Sequence, residues 1–81
     1  MFIGHKEPTV EEINRNITLL LDYPWFREIF ENKEFREIIE NNQDLRMIIG
    51  RENIKNIKYY PRKQLKLRSI IMNELFNGIK G

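Results

Sequence analysis

His5 is the only histidine in a chain of 81 residues that has no cysteine. A histidine-based triad or metal site has no second partner. The carboxylates Glu28, Glu31, Glu34, Glu37 and Glu40 recur every third residue, which reads as a solvated helix edge rather than as acid–base machinery. Gly4, Gly50, Gly78 and Gly81 stand apart from one another, so no glycine-rich loop is present to cradle a phosphate. Trp25, next to Phe26, reads as a core anchor. The expectation is a non-enzymatic protein with no cofactor and no metal.

One cluster has the composition of a binding surface. Lys55, Lys58, Arg62, Lys63, Lys66 and Arg68 surround Tyr59 and Tyr60. Cations beside aromatic rings can grip phosphates while bases stack on the rings. The charge is polarised along the chain: residues 1–50 sum to −4 and residues 51–81 to +6, for a net charge of +2. A solvated basic face, contact with an acidic partner, and head-to-tail pairing of two copies all fit this asymmetry.

The elements that would position these groups are legible from four similar stretches. They are Phe26-Arg27-Glu28-Ile29-Phe30, Phe35-Arg36-Glu37-Ile38-Ile39, Leu45-Arg46-Met47-Ile48-Ile49 and Leu67-Arg68-Ser69-Ile70-Ile71. Each places apolar residues at i, i+3 and i+4, one face of a helical turn. The first three start 9 and then 10 residues apart. In one continuous helix, nine residues turn through about 900°, so Phe26 and Phe35 would point to opposite sides. The triplets share a side only if the chain breaks between them, and Pro24, Asn32, Asn41-Asn42 and Gly50 are suitable breaks.

The resulting expectation is all-α, with about five or six short amphipathic helices curving around a hydrophobic groove. Thr9 and Glu12 form a capping box for a helix over about 10–21, striped by Val10, Ile13, Ile17, Leu20 and Leu21. Pro24 suits a first helical position, giving a helix over 24–31 with Asp22 or Tyr23 as its cap. Asn32 caps 33–40 and Asn42 caps 43–49, with Gly50 in a left-handed C-terminal position. Ile54 and Ile57 mark a further turn or two, and Pro61 forces Tyr60 out of helical geometry. The last helix, about 62–77, carries Leu65, Ile70, Ile71, Leu75 and Phe76. Residues 9–78 read as one domain between a flexible segment, 1–8, and a tail, 79–81. Helices of two turns need packing to hold them. Their concave apolar side is covered by a client segment, by a second copy, or by the chain's own first and last helices.

The segment from Tyr23 to Phe76 resembles the heat-shock-chaperonin-binding domain, or Sti-type repeat, of the ubiquilin family of proteasome shuttle proteins. Tyr23-Pro24, Asn32-Lys33 and Asn42-Gln43 look like the family's Asn-Pro steps. Asn42-Gln43-Asp44-Leu45, Arg51-Glu52-Asn53 and Ile54 to Pro61 look like its run into a short helix and a proline. Leu67-Arg68-Ser69-Ile70-Ile71 and Asn73-Glu74 look like the helix that follows. Gly50-Arg51-Glu52-Asn53 is similar to the related repair-factor-binding domain of other ubiquitin shuttles.

The resemblance implies a client-binding domain that holds transmembrane or amphipathic helices in an apolar groove. Ubiquitin and the proteasome would be reached only through domains outside this chain, and the setting would be the cytoplasm, with the nucleus as an alternative. Phe26, Ile29, Phe30, Phe35, Ile38, Ile39, Leu45, Ile48, Ile49, Ile54 and Ile57 are the expected lining. A homodimer swapping helix 10–21 or helix 62–77 would fill the same groove. The alternative is a small basic helical nucleic-acid-binding regulator using residues 55–68. The lack of cysteine fits a reducing compartment, no 18-residue apolar run is present, and Met1–Pro8 lacks the apolar core of a signal peptide.

Overall fold

Thr9 opens the first helix through a complete capping box. Its hydroxyl accepts from the Glu12 backbone N–H at 3.1 Å, and Glu12 Oε1 accepts from the Thr9 N–H at 2.9 Å. The computed structural model describes residues 7–80, with only the backbone described at Lys80. His5 and the first six positions of the expected mobile segment lie outside that range. The helices are α1 (Val10–Leu20), α2 (Pro24–Glu31), α3 (Lys33–Asn41), α4 (Gln43–Arg51), α5 (Ile54–Ile57) and α6 (Pro61–Lys80). The described residues contain no strand, and the fold is all-α.

Two asparagines act as one-residue joints. Asn32 is extended (φ −77°, ψ 119°) and Asn42 nearly the same (φ −83°, ψ 109°). The Asn32 N–H donates to the Ile29 carbonyl at 3.1 Å, closing α2. Its side-chain Oδ1 accepts from the Phe35 N–H at 3.1 Å, opening α3. Asn42 repeats the device, with its N–H donating to Ile38 at 2.7 Å and its Oδ1 accepting from Leu45 at 3.0 Å. A short polar side chain can satisfy an orphan helical N–H while its own backbone stays extended. Each joint redirects the chain, so residues 24–49 form three helices rather than one rod. At the head of α2, Pro24 occupies the first turn and Tyr23 precedes it with no capping side chain.

One core joins all six helices. α1 contributes Ile13, Ile17 and Leu20; α2 contributes Phe26 and Ile29; α3 contributes Ile39; α4 contributes Leu45 and Ile49; α5 contributes Ile54 and Ile57; α6 contributes Leu67, Ile71 and Leu75. α1 packs on α4 and α5, while α6 packs on α3 and α5. The first and last helices therefore fill the concave side of the array. The radius of gyration is 12.7 Å, the size of a compact domain of this length.

Two local expectations are corrected. Gly50 lies inside α4, and no described glycine has a positive φ. Its lack of a side chain serves a close approach instead. An added Cβ would lie 2.6 Å from Pro8 Cβ and 2.7 Å from Ile13 Cγ1. Pro8, at the end of the segment expected to be mobile, thus packs against α4. The apolar stripe of α6 is also displaced. Leu67, Ile71 and Leu75 face the core, whereas Leu65 and Phe76 are exposed. Positions four apart share a helix face, and 67, 71 and 75 satisfy that spacing while 65 and 76 do not.

Candidate functional site

The eleven residues expected to line a groove divide into two groups. Phe26, Ile29, Ile39, Leu45, Ile49, Ile54 and Ile57 are buried in the shared core. Phe30, Phe35, Ile38 and Ile48 are partly buried against it. The kinks do turn the triplets to a common side, but α1 and α6 lie on that side. Trp25 is half-buried, packs edge-on against Phe26 with ring centroids 5.8 Å apart, and donates from Nε1 to Gln64 Oε1 at 3.1 Å. That bond ties α2 to α6.

Asn16 is the polar residue that sequence reasoning missed. It is buried on the core face of α1, and its Nδ2 donates to the carbonyls of Ile49 (2.9 Å), Gly50 (3.3 Å) and Glu52 (3.0 Å). The last carbonyls of a helix have no partner of their own, so α1 supplies the C-terminal cap of α4. The available signal was its position: Asn16 sits between Ile13, Ile17 and Leu20, on a stripe that is otherwise apolar.

The basic cluster spans α5, the α5–α6 junction and the first two turns of α6. Lys55, Lys58, Arg62, Lys63, Lys66 and Arg68 are all exposed. Tyr59 is 67% exposed and Tyr60 52%. Lys58 Nζ lies 5.2 Å from the centroid of the Tyr59 ring, and Lys63 Nζ lies 4.9 Å from that of Tyr60. No acidic residue occurs from Asn53 to Asn73. α6 begins here with Pro61 and has no acidic residue in its first turn. The helix macrodipole adds about half a positive charge at this end. Tyr60, directly before the helix, is not one of the short polar residues that cap a helix start. This surface is open, aromatic and predominantly basic, with Asp22 near Lys55 and Lys58 and Glu52 near Tyr60 and Lys63.

Other chemistry is sparse among the described residues. No three His, Cys, Asp or Glu side chains converge as a metal site. The carboxylates Glu28, Glu31, Glu34, Glu37 and Glu40 are all exposed. No helix is long and apolar enough to cross a membrane. No family model, curated protein or solved structure matches the chain.

Proposed function

We propose that the protein is a non-catalytic binder of polyanions, with single-stranded nucleic acid as the ligand that suits its surface best. The site is the α5–α6 junction and the first two turns of α6. The observation that carries the reading is the charge placed at the start of α6. A helix N-terminus favours acidic side chains and disfavours cations by about 0.3–1 kcal/mol each. Here Arg62 and Lys63 lie in its first turn and Lys66 in the next, with Lys55 and Lys58 shortly before them in the chain. An arrangement that costs stability and breaks a local rule is expected at a functional site. The two exposed tyrosines argue for unpaired bases, because a base in a duplex offers no free face for stacking.

A labelled single-stranded oligonucleotide should bind in low salt, and a duplex of the same length should bind less well. Contacts from six cations set the slope of log affinity against log salt at about −4. Replacing Tyr59 or Tyr60 by alanine should cost about 1–3 kcal/mol of binding per stacked base. Anisotropy that stays flat in low salt at high protein concentration would remove the proposal.

A second reading is favoured by a different observation: the apolar face of α4 and α5 accepts a helix, since α1 lies on it. In that reading the domain holds an apolar or amphipathic helix of a client, as the resemblance to Sti-type domains implies, and a client enters by displacing α1 from Leu45, Ile49 and the Asn16 cap. Phe30, Phe35, Ile38 and Ile48, at the edge of the core, would make first contact.

A further inference from the structure

α3 contributes only Ile39 to the fully buried core. Phe35 and Ile38 stay half-buried and meet the end of α6. The Phe76 ring stands edge-on to Phe35 with centroids 6.4 Å apart. Gly78 approaches Ile38 so closely that an added Cβ would lie 3.1 Å from Ile38 Cδ1. Phe76 is 53% exposed and Ile79 48%. Beside them an open cavity of about 460 Å³ is lined by Glu34, Glu37, Ile38, Asn41, Asn42, Gly78 and Ile79. Among the described residues its charged lining is acidic.

The opposite pole of α6 has the complementary character. Leu65 is 62% exposed and stands between Arg62 and Lys66 on α6, in the helix that Tyr59 and Tyr60 lead into. Leu65 and Ile79 are 14 residues apart, about 21 Å along the helix. α6 thus carries exposed apolar side chains near each end, with basic neighbours at the first and Glu34 and Glu37 of α3 beside the second.

We propose that a second copy of this chain occupies the α3–α6 patch, docking through its own basic pole. Leu65 and the tyrosines of one copy would cover Phe76 and Ile79 of the next, with Arg62, Lys63 and Lys66 set against Glu34 and Glu37. Patch-on-patch pairing would instead press the Glu34 and Glu37 rims together, and juxtaposed like charges are strongly unfavourable. A head-to-tail contact is heterologous, so each complex keeps one free pole and growth continues with concentration. The contact leans on exposed charges, so it weakens in salt. It forms without nucleic acid, although an oligonucleotide on the basic pole would compete with it.

Sedimentation velocity over a wide concentration range tests the inference with the full chain. In low salt the average mass should rise with concentration, and high salt should suppress the rise. Ile79→Asp should weaken association about tenfold or more by breaking the patch. The double change Arg62→Glu and Lys63→Glu should do the same by breaking the pole. Mixing these two variants should restore association and stop it at a dimer, because the mixture offers one intact contact. Circular dichroism checks each fold, and Phe76→Ser replaces Ile79→Asp if the latter loses helix. The inference is overturned if the wild type stays monomeric throughout, if either variant alone associates as the wild type does, or if the mixture stays monomeric.

Discussion

The Asn16 side chain donates to the Ile49 carbonyl at 2.9 Å, which links the middle of α1 to the last turn of α4. The two residues are 33 positions apart in the chain. The same amide reaches Gly50 and Glu52, so one side chain closes a helix end that lies under α1.

Asn16→Leu should destabilise the fold more than its modest change of volume suggests. It leaves several carbonyls in or near the core unpaired, at about 1–3 kcal/mol. For a domain of this size each kcal/mol lowers the melting temperature by about 4–8 °C. Thermal denaturation followed by circular dichroism measures the shift. An unchanged melting temperature would mean that the cap contributes nothing.

Gly50→Ala and Gly78→Ala should have opposite outcomes, although both lie in helices. Alanine improves helix propensity by about 1 kcal/mol. At Gly50 the new methyl meets Pro8 Cβ at 2.6 Å and Ile13 Cγ1 at 2.7 Å, and overpacking costs about 1–3 kcal/mol. At Gly78 the nearest atom is the flexible end of Ile38, at 3.1 Å. Urea denaturation should therefore give a lower midpoint for Gly50→Ala and an equal or higher one for Gly78→Ala. A raised midpoint for Gly50→Ala would show that α1 and Pro8 yield easily.

Asn32→Ala should cost about 1 kcal/mol through loss of the cap on Phe35. Asn32→Asp keeps an acceptor and places negative charge at a helix N-terminus, so it should be neutral or stabilising. The pair separates capping from general tolerance: equal melting temperatures for both variants would count against the joint.

A labelled apolar helix peptide tests the client reading. Binding should be in the micromolar range, should barely respond to salt, and should strengthen in Asn16→Leu, where α1 is released more easily. Phe35→Asp should weaken it while the domain stays folded. An oligonucleotide would respond in the opposite way to salt, since its contacts release counterions. No anisotropy change with any apolar peptide, including in Asn16→Leu, would end this reading.

Much of the architecture was legible because it is local. Thr9 and Glu12 announce a capping box, and Pro24, Asn32 and Asn42 mark helix starts within a few residues of the apolar triplets they serve. The basic cluster was legible too, since its members lie within 14 consecutive residues. The groove was harder to read. Phe26, Ile39, Leu45 and Ile49 carry the same spacing whether they face a client, a second copy or α1. Periodicity reports which face is apolar but not what covers it. Gly50 shows the same limit, since a glycine at a helix end suits a left-handed cap or a close neighbour equally well. Leu65 and Phe76 failed as core positions because the turn of α6 is set by its packing on α3 and α5.

The order of the amino acids by itself determined an all-α chain, kinked at asparagines, with acid and base separated towards its two halves. These features follow from interactions within a turn or two, which the chain meets wherever it folds. Only the tertiary structure decided that α1 and α6 close the concave side, that Asn16 caps α4, and that opposite charges flank exposed apolar residues at the two ends of α6. Those outcomes depend on contacts between residues tens of positions apart, which burial and helix packing select together and no local pattern encodes.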